Sequence, residues 1–204
     1  MSKVMLVAGL ASHIPYDKQY DYIGIDAGAY TCMKQKIPMQ FAIGDFDSIT
    51  SMQKEELAAY TSMIYLSKHK DQTDSEAAIY FALEQGYKEI ILFGALGGRI
   101  DHTLANIYLL AYRDLPLTLM DEHNKMYIRS KGKYEITNDY QYLSFLALEK
   151  AQFTISGVAY PLIKRTICMQ DIYTVSNEII EKSAFLEIEE GSLLIMQASD
   201  ADKQ

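Results

Sequence analysis

No stretch of this chain approaches the ~18–20 consecutive apolar residues that a membrane-spanning helix needs, so no membrane partner is expected. The opening MSKVMLVAGLASH carries one apolar run that is short for a secretory signal and ends at no cleavage site; it reads as a first strand. Cysteine is scarce. Cys32 and Cys168 stand far apart, with no CxxC and no Cys/His ligand spacing, which excludes a disulfide framework and a zinc site and suits reduced packing thiols in the cytoplasm. Positive charge is also short: 19 Lys+Arg against 27 Asp+Glu give a formal net charge of −8, the wrong sign for binding a nucleic-acid backbone. The chain lacks GK[ST], and so a P-loop, and lacks the GxGxxG dinucleotide fingerprint. Internal repeats and low-complexity tracts are missing as well. What is present is an ordinary soluble composition, 49% hydrophobic and 23% charged, in 204 residues, enough to bury a core.

Over the first ~120 residues short apolar runs alternate with helical patterns. Strands are expected at Lys3–Gly9, Tyr22–Ile25, Phe41–Ile43, Met63–Leu66, Glu89–Phe93 and Leu117–Met120, and helices at about Tyr30–Lys36, Ser51–Tyr60, Ser75–Gln85 and His102–Ala111. Such alternation argues βαβ units and a largely parallel, Rossmann-like sheet. Thr73, three residues ahead of Glu76, fits a capping box at the start of the third helix. After Asp121 the texture changes to short alternating runs (MYIRS, KYEIT, YLSFLAL, QFTIS, AFLEIE, SLLIMQA), with turn signals at Lys131-Gly132-Lys133 and Glu190-Gly191-Ser192 and no helical pattern. This is the pattern of an antiparallel all-β unit. The expected organisation is an α/β domain over residues 1–124 and a β domain over 125–204.

The acidic residues fall at one kind of place. Asp26 follows YIGI, Asp45 and Asp47 follow FAI, Asp71 and Asp74 follow MIYLSKHK, and Asp101 follows IILFGALGGRI. All six lie just beyond the carboxyl ends of expected strands, the edge at which open α/β sheets bind ligands. Taken singly, an Asp after a strand is more often a turn former or helix cap. Several such segments converging would repel one another and raise their own pKa values unless a cation sits among them. An all-oxygen donor set points to Mg²⁺ ahead of Mn²⁺ or Ca²⁺, bound through one or two carboxylates together with substrate phosphates.

Phe93–Asn106, FGALGGRIDHTLAN, follows the fifth strand and opens a helix. Glycines feeding a helix N-terminus make an anion site from backbone N–H groups, and Arg99 adds a planar fork suited to phosphate oxygens. The other reading is a glycine turn used for tight strand–helix packing. Asn106 shares a helical face with His102 at i+4 and reaches the same place. Lys68 and Lys70 flank His69 just before Asp71, either facing phosphates or solvated. Together the residues describe a Mg²⁺-dependent enzyme acting on a phosphorylated substrate.

With DAGAY (Asp26–Tyr30), GDFDSI (Gly44–Ile49), KDQTDSEAA (Lys70–Ala78), GALGGRIDHTLAN (Gly94–Asn106) and a late SNE (Ser176–Glu178), the chain resembles the thiamin pyrophosphokinase family. That resemblance implies an α/β catalytic domain followed by a β-sandwich, and transfer of a diphosphate group from ATP to thiamin with release of AMP. It implies Mg²⁺ on Asp45 and Asp47, with Asp71 and Asp74 as further ligands or a general base. It implies ATP contacts from Gly97, Gly98, Arg99, Asp101, His102 and Asn106, with Lys70, Thr73 and Asp26 on the nucleotide side. It also implies a homodimer with thiamin at the subunit interface, touched by Ser176 and Asn177; outside the family those two read as a turn pair. Many members carry two glycines in the first motif where this chain has Ala27-Gly28. Two other functions fit the same residues: a Mg²⁺-dependent phosphohydrolase or nucleotidyltransferase, and a non-catalytic nucleotide- or thiamin-binding regulator.

Overall fold

The structure is a computed structural model that describes residues 2–67 and 71–201. The chain divides between Glu122 and His123 into two compact units, where the sequence texture suggests 124/125.

In the first unit six strands, β1 (Lys3–Val7), β2 (Asp21–Ile25), β3 (Phe41–Gly44), β4 (Met63–Tyr65), β5 (Glu89–Phe93) and β6 (Leu117–Met120), form an all-parallel run in the order β6-β5-β1-β2-β3-β4. Helices α1 (Ala27–Lys34), α2 (Ser51–Tyr60), α3 (Asp74–Glu84) and α4 (Ile100–Tyr112) make the crossovers after β2, β3, β4 and β5. From β1 the order runs outward through β2 to β4 and, the other way, through β5 to β6. This reversal opens a crevice beyond the carboxyl ends of β1 and β5.

Helix α2 occupies the expected residues and carries a complete capping box. The Thr50 side chain accepts from Gln53 N–H and the Gln53 side chain accepts from Thr50 N–H. The box expected at Thr73–Glu76 forms only by half: Thr73 Oγ1 accepts from Glu76 N–H, while the Glu76 carboxylate lies 3.9 Å from Arg113. Helix α1 begins at Ala27 rather than Tyr30 because its first turn is built of small residues that leave no apolar period to read. Their smallness seats the helix. A Cβ on Gly28 would fall 2.1 Å from the Val7 carbonyl oxygen, so any larger residue forces α1 off β1.

The second unit is wholly antiparallel: β7 (Asn124–Thr137), β8 (Tyr142–Ala147), β9 (Lys150–Ser156), β10 (Leu162–Cys168) and β11 (Ser183–Ala198). The glycines read as turns at 131–133 and 190–192 lie instead inside β7 and β11. There Ile188 faces Gly132 and Ser192 faces Ser130, so β11 carries extra residues in a bulge. On one side of the bulge β11 pairs with β9, on the other with β8, and the unit's core fills from both. Phe145 of β8 and Phe153 of β9 meet within it at a ring separation of 5.3 Å. Strand β10 had no sequence signal, since four consecutive residues, Ile163–Thr166, are exposed.

Gly28→Ala is expected to cost about 1–3 kcal/mol of stability by overpacking. Gly9→Ala, whose Cβ would make an ordinary 3.6 Å contact, stays within about 0.5 kcal/mol. Urea unfolding of both variants measures the difference.

Candidate active site

Beyond the carboxyl ends of β1, β2 and β5 lies a cavity of about 520 Å³. Its floor is apolar and small: Ala8, Gly9, Ile25, Ala27 and Ala95. Polar groups converge on it from three loops, with Asp26 after β2, Thr73 and Asp74 at the start of α3, and Gly97, Arg99, His102 and Asn106 around the start of α4.

Asp26 organises the acidic side. Its Oδ1 accepts the backbone N–H of Phe46 at 3.0 Å, and both residues have positive φ, 48° and 55°. Left-handed backbone is uncommon for such residues and persists only where the surroundings impose it. Here burial imposes it. Phe46 is wholly buried, packed edge-on against Tyr65 at 5.3 Å, a burial worth about 1.5–3 kcal/mol. Gly44 makes room, since a Cβ there would lie 1.9 Å from Asp26 Oδ1. With Phe46 drawn inward, Asp47 is exposed and Asp45 half-buried, and Asp45 Oδ1 caps the N–H of Asp47 at 2.9 Å. Burial pushes the Asp26 carboxyl up to about 6 against the lowering effect of the Phe46 N–H, and the negative charges of Asp74, Asp45 and Asp47 push the same way.

Three of the acids expected from the sequence, Asp74, Asp45 and Asp47, thus act electrostatically on a fourth, Asp26; of the four, Asp26 and Asp74 line the cavity and Asp45 and Asp47 do not. Asp71 is exposed and does not line the cavity; Lys70 lies outside the described residues, as do Lys68 and His69. Asp101 is engaged elsewhere. It grips Arg99 in a bidentate pair, Nε to Oδ1 at 3.1 Å and Nη2 to Oδ2 at 2.6 Å, and this pairing first of all holds its carboxyl down at about 2. Both partners are exposed, so the pair orients Arg99 more than it stabilises the fold.

No three His, Cys, Asp or Glu side chains among the described residues stand close enough to hold a metal ion unaided. The donor chemistry nevertheless fits Mg²⁺, which takes one or two protein carboxylates and completes its shell with water and phosphate oxygens. Asp45 and Asp47, on either side of Phe46, would supply such donors.

The glycine turn is braced from the helix it opens. Thr103 Oγ1 accepts from Gly97 N–H at 3.1 Å and donates to Gly97 O at 3.0 Å, and Asn106 Nδ2 donates to Ala95 O at 2.9 Å. Gly97 N–H is therefore committed, and among the described residues Gly98 and Arg99 keep N–H groups with no hydrogen bond in the protein. Thr103 was missed from the sequence, and its only signal is its place one turn beyond Arg99.

In the second unit Asn177 is buried and used internally. Its Oδ1 accepts from Tyr160 N–H and Glu178 N–H, and its Nδ2 donates to Tyr160 O. Ser176 has a positive φ of 59° and hangs by its N–H on Ser144 Oγ with its side chain exposed. Beside them Phe145, Tyr160, Leu162 and Tyr173 line a cavity of about 90 Å³, small for a ligand by itself.

Residues 16–119 match the family model described as "Thiamin pyrophosphokinase, catalytic domain", and residues 130–193 match "Thiamin pyrophosphokinase, vitamin B1 binding domain". The chain is 33% identical over 193 residues to a thiamine pyrophosphokinase of Bacillus subtilis, covering 90% of each. Among solved structures it is similar to thiamine pyrophosphokinase from Bacillus subtilis, at a TM-score of 0.88 and 32% identity, covering 98% of this chain and 100% of that one. It is also similar to a thiamin pyrophosphokinase family protein from Enterococcus faecalis, at 0.86 and 30%, with coverage of 98% and 100%.

Asp26→Ala leaves the buried Phe46 N–H without an acceptor and is expected to cost about 1–3 kcal/mol. Asp26→Asn keeps an oxygen for that bond and removes the raised charge, so it costs well under half as much. Chemical denaturation of the two variants at pH 7.5 checks the order.

Proposed function

From the premise that the chain belongs to the thiamin pyrophosphokinase family, we propose that it transfers a diphosphate group from ATP to the hydroxyl of thiamin, giving thiamin diphosphate and AMP in a Mg²⁺-dependent reaction. The observation that carries this reading is a cavity lined by Asp26 and Asp74 together with a helix N-terminus that has unpaired backbone N–H groups, with Asp45 and Asp47 flanking the Phe46 that Asp26 holds.

In this reading Asp45 and Asp47, with Asp71 as a further ligand from the neighbouring loop, would hold Mg²⁺. When bound, the ion neutralises phosphate charge and holds the oxygens in line. The N–H groups of Gly98 and Arg99 and the dipole of α4 receive phosphate oxygens. Arg99, aimed by Asp101, caps them from the open side, with His102 and Thr73 around the nucleotide; Lys70, expected with them, lies outside the described residues. Asp74 lines the cavity and orients the attacking hydroxyl or takes its proton; Asp71 is the other candidate for that task. The hydroxyl oxygen bonds to the β-phosphorus as the bond from that phosphorus to the α,β-bridging oxygen breaks, and AMP leaves.

The α/β unit would bind ATP and the β unit thiamin, with Ser176 and Asn177 facing it. Asn177 would do so chiefly by fixing the Tyr160 and Ser176 segments, since most of its amide is internally bonded. A homodimer with thiamin at its interface is supported by exposed apolar side chains on each unit, such as Ile163 and Ile172 in one and Ile100 and Tyr108 in the other. No helix among the described residues is long and apolar enough to cross a membrane, in keeping with a cytoplasmic enzyme.

Incubation with ATP, Mg²⁺ and thiamin, followed by chromatography, is expected to give AMP and thiamin diphosphate in equal amounts, with a loss of at least roughly 100-fold in Asp47→Ala. Phosphate or AMP released without thiamin would instead mark a hydrolase, and bound ATP without turnover a regulator.

A further inference from the structure

Asn106 is a polar residue buried to 5% exposure in the wall of the cavity. Its amide orientation is fixed by chemistry, because the Ala95 carbonyl 2.9 Å away only accepts, so the group facing it is the NH₂. The Oδ1 atom then points elsewhere. It accepts no hydrogen bond among the described residues, yet it is not a sealed orphan, for the one such buried atom among them is Glu189 Oε2. Oδ1 therefore opens to the cavity as an acceptor waiting for a donor.

Three features narrow what the donor belongs to. An acceptor oxygen repels phosphate, so the phosphates stay at the Gly98–Arg99 turn. The lining that Asn106 shares includes Ala8, Gly9, Leu10, Ile25, Ala27 and Ala95, an apolar set that suits the face of a flat ring. A polar group that is nine-tenths buried and unpaired discriminates strongly, because a ligand without the complementary group leaves it unsatisfied. Asparagine pairing with the amino-bearing edge of adenine is a general recognition geometry.

Resting on the proposed use of ATP, we propose that Asn106 Oδ1 accepts a hydrogen bond from the exocyclic amino group of adenine and so sets the nucleotide preference of this site. Asn106 thereby does two tasks through its two ends: Nδ2 braces the glycine turn and Oδ1 reads the base.

The test is a binding titration of the full chain with Mg²⁺ and no thiamin, which removes the aminopyrimidine of thiamin as a rival donor. ATP is compared with purine riboside 5′-triphosphate, which carries hydrogen in place of the 6-amino group. The wild type should bind ATP about tenfold more tightly, and Asn106→Leu should reduce that ratio to near one. Equal binding of both nucleotides by the wild type overturns the inference whatever the variant does. A variant that weakens both nucleotides equally and keeps the ratio also overturns it, leaving Asn106 as a brace alone. Should Asn106→Leu fail to fold, Asn106→Ser takes its place. An ATP preference in a protein that forms no thiamin diphosphate would uphold this inference while ending the proposed reaction.

Discussion

The hydrogen bond from Phe46 N–H to Asp26 Oδ1 is the constraint on which the acidic half of the site depends. It joins the end of β2 to the end of β3 and holds two residues in left-handed backbone that neither would keep alone. The compensation comes from burying Phe46, and the room from Gly44, where any side chain would occupy the position of the Asp26 carboxylate. The alternation Asp-Phe-Asp thus buries the ring and leaves Asp45 half-buried and Asp47 exposed. Gathering the carboxylates has an electrostatic cost, visible in the upward shift of Asp26. A bound cation would offset that cost.

The other half of the cavity uses backbone in place of charge. The parallel sheet reverses its order at β1 and β5, which brings the glycine turn, Asp26 and Asp74 to one cavity with a largely apolar lining. Thr103 and Asn106, one turn apart on α4, tie the turn to the helix that follows it. Such preorganisation is what phosphoryl chemistry asks of a protein, which has little covalent work to do there.

Much of the first unit was legible in the sequence because buried parallel strands leave continuous apolar runs: β5 and β6 occupy the expected residues. The second unit was legible in kind but not in detail. Gly132 and Gly191 resemble turn glycines, and only the pairing of β7 with β11 shows Gly132 to face Ile188 in the ladder and Gly191 to lie in a bulge. Strand β10 escaped because its middle is solvent-facing and carries no alternation. At the candidate site, residue types and spacing pointed to the acids and the glycines, since chemistry selects those directly. Asp26 bonding Phe46, Arg99 committed to Asp101 and Gly97 committed to Thr103 were hidden, because each depends on where a side chain points after folding. Asn177 shows the reverse: a residue chosen by resemblance spends most of its amide inside its own unit.

The most direct test of this architecture is paramagnetic line broadening in ¹⁵N-labelled protein titrated with Mn²⁺ in place of Mg²⁺ in the presence of nucleotide. The account predicts that the amide signals of Asp45, Phe46 and Asp47 broaden first and together, that Asp26 and Asp74 follow, and that Phe153 in the second unit's core stays sharp. Early broadening elsewhere, with the Gly44–Ser48 signals unchanged, would contradict the assignment of the carboxylates displayed around Phe46 as the metal-holding edge of the site.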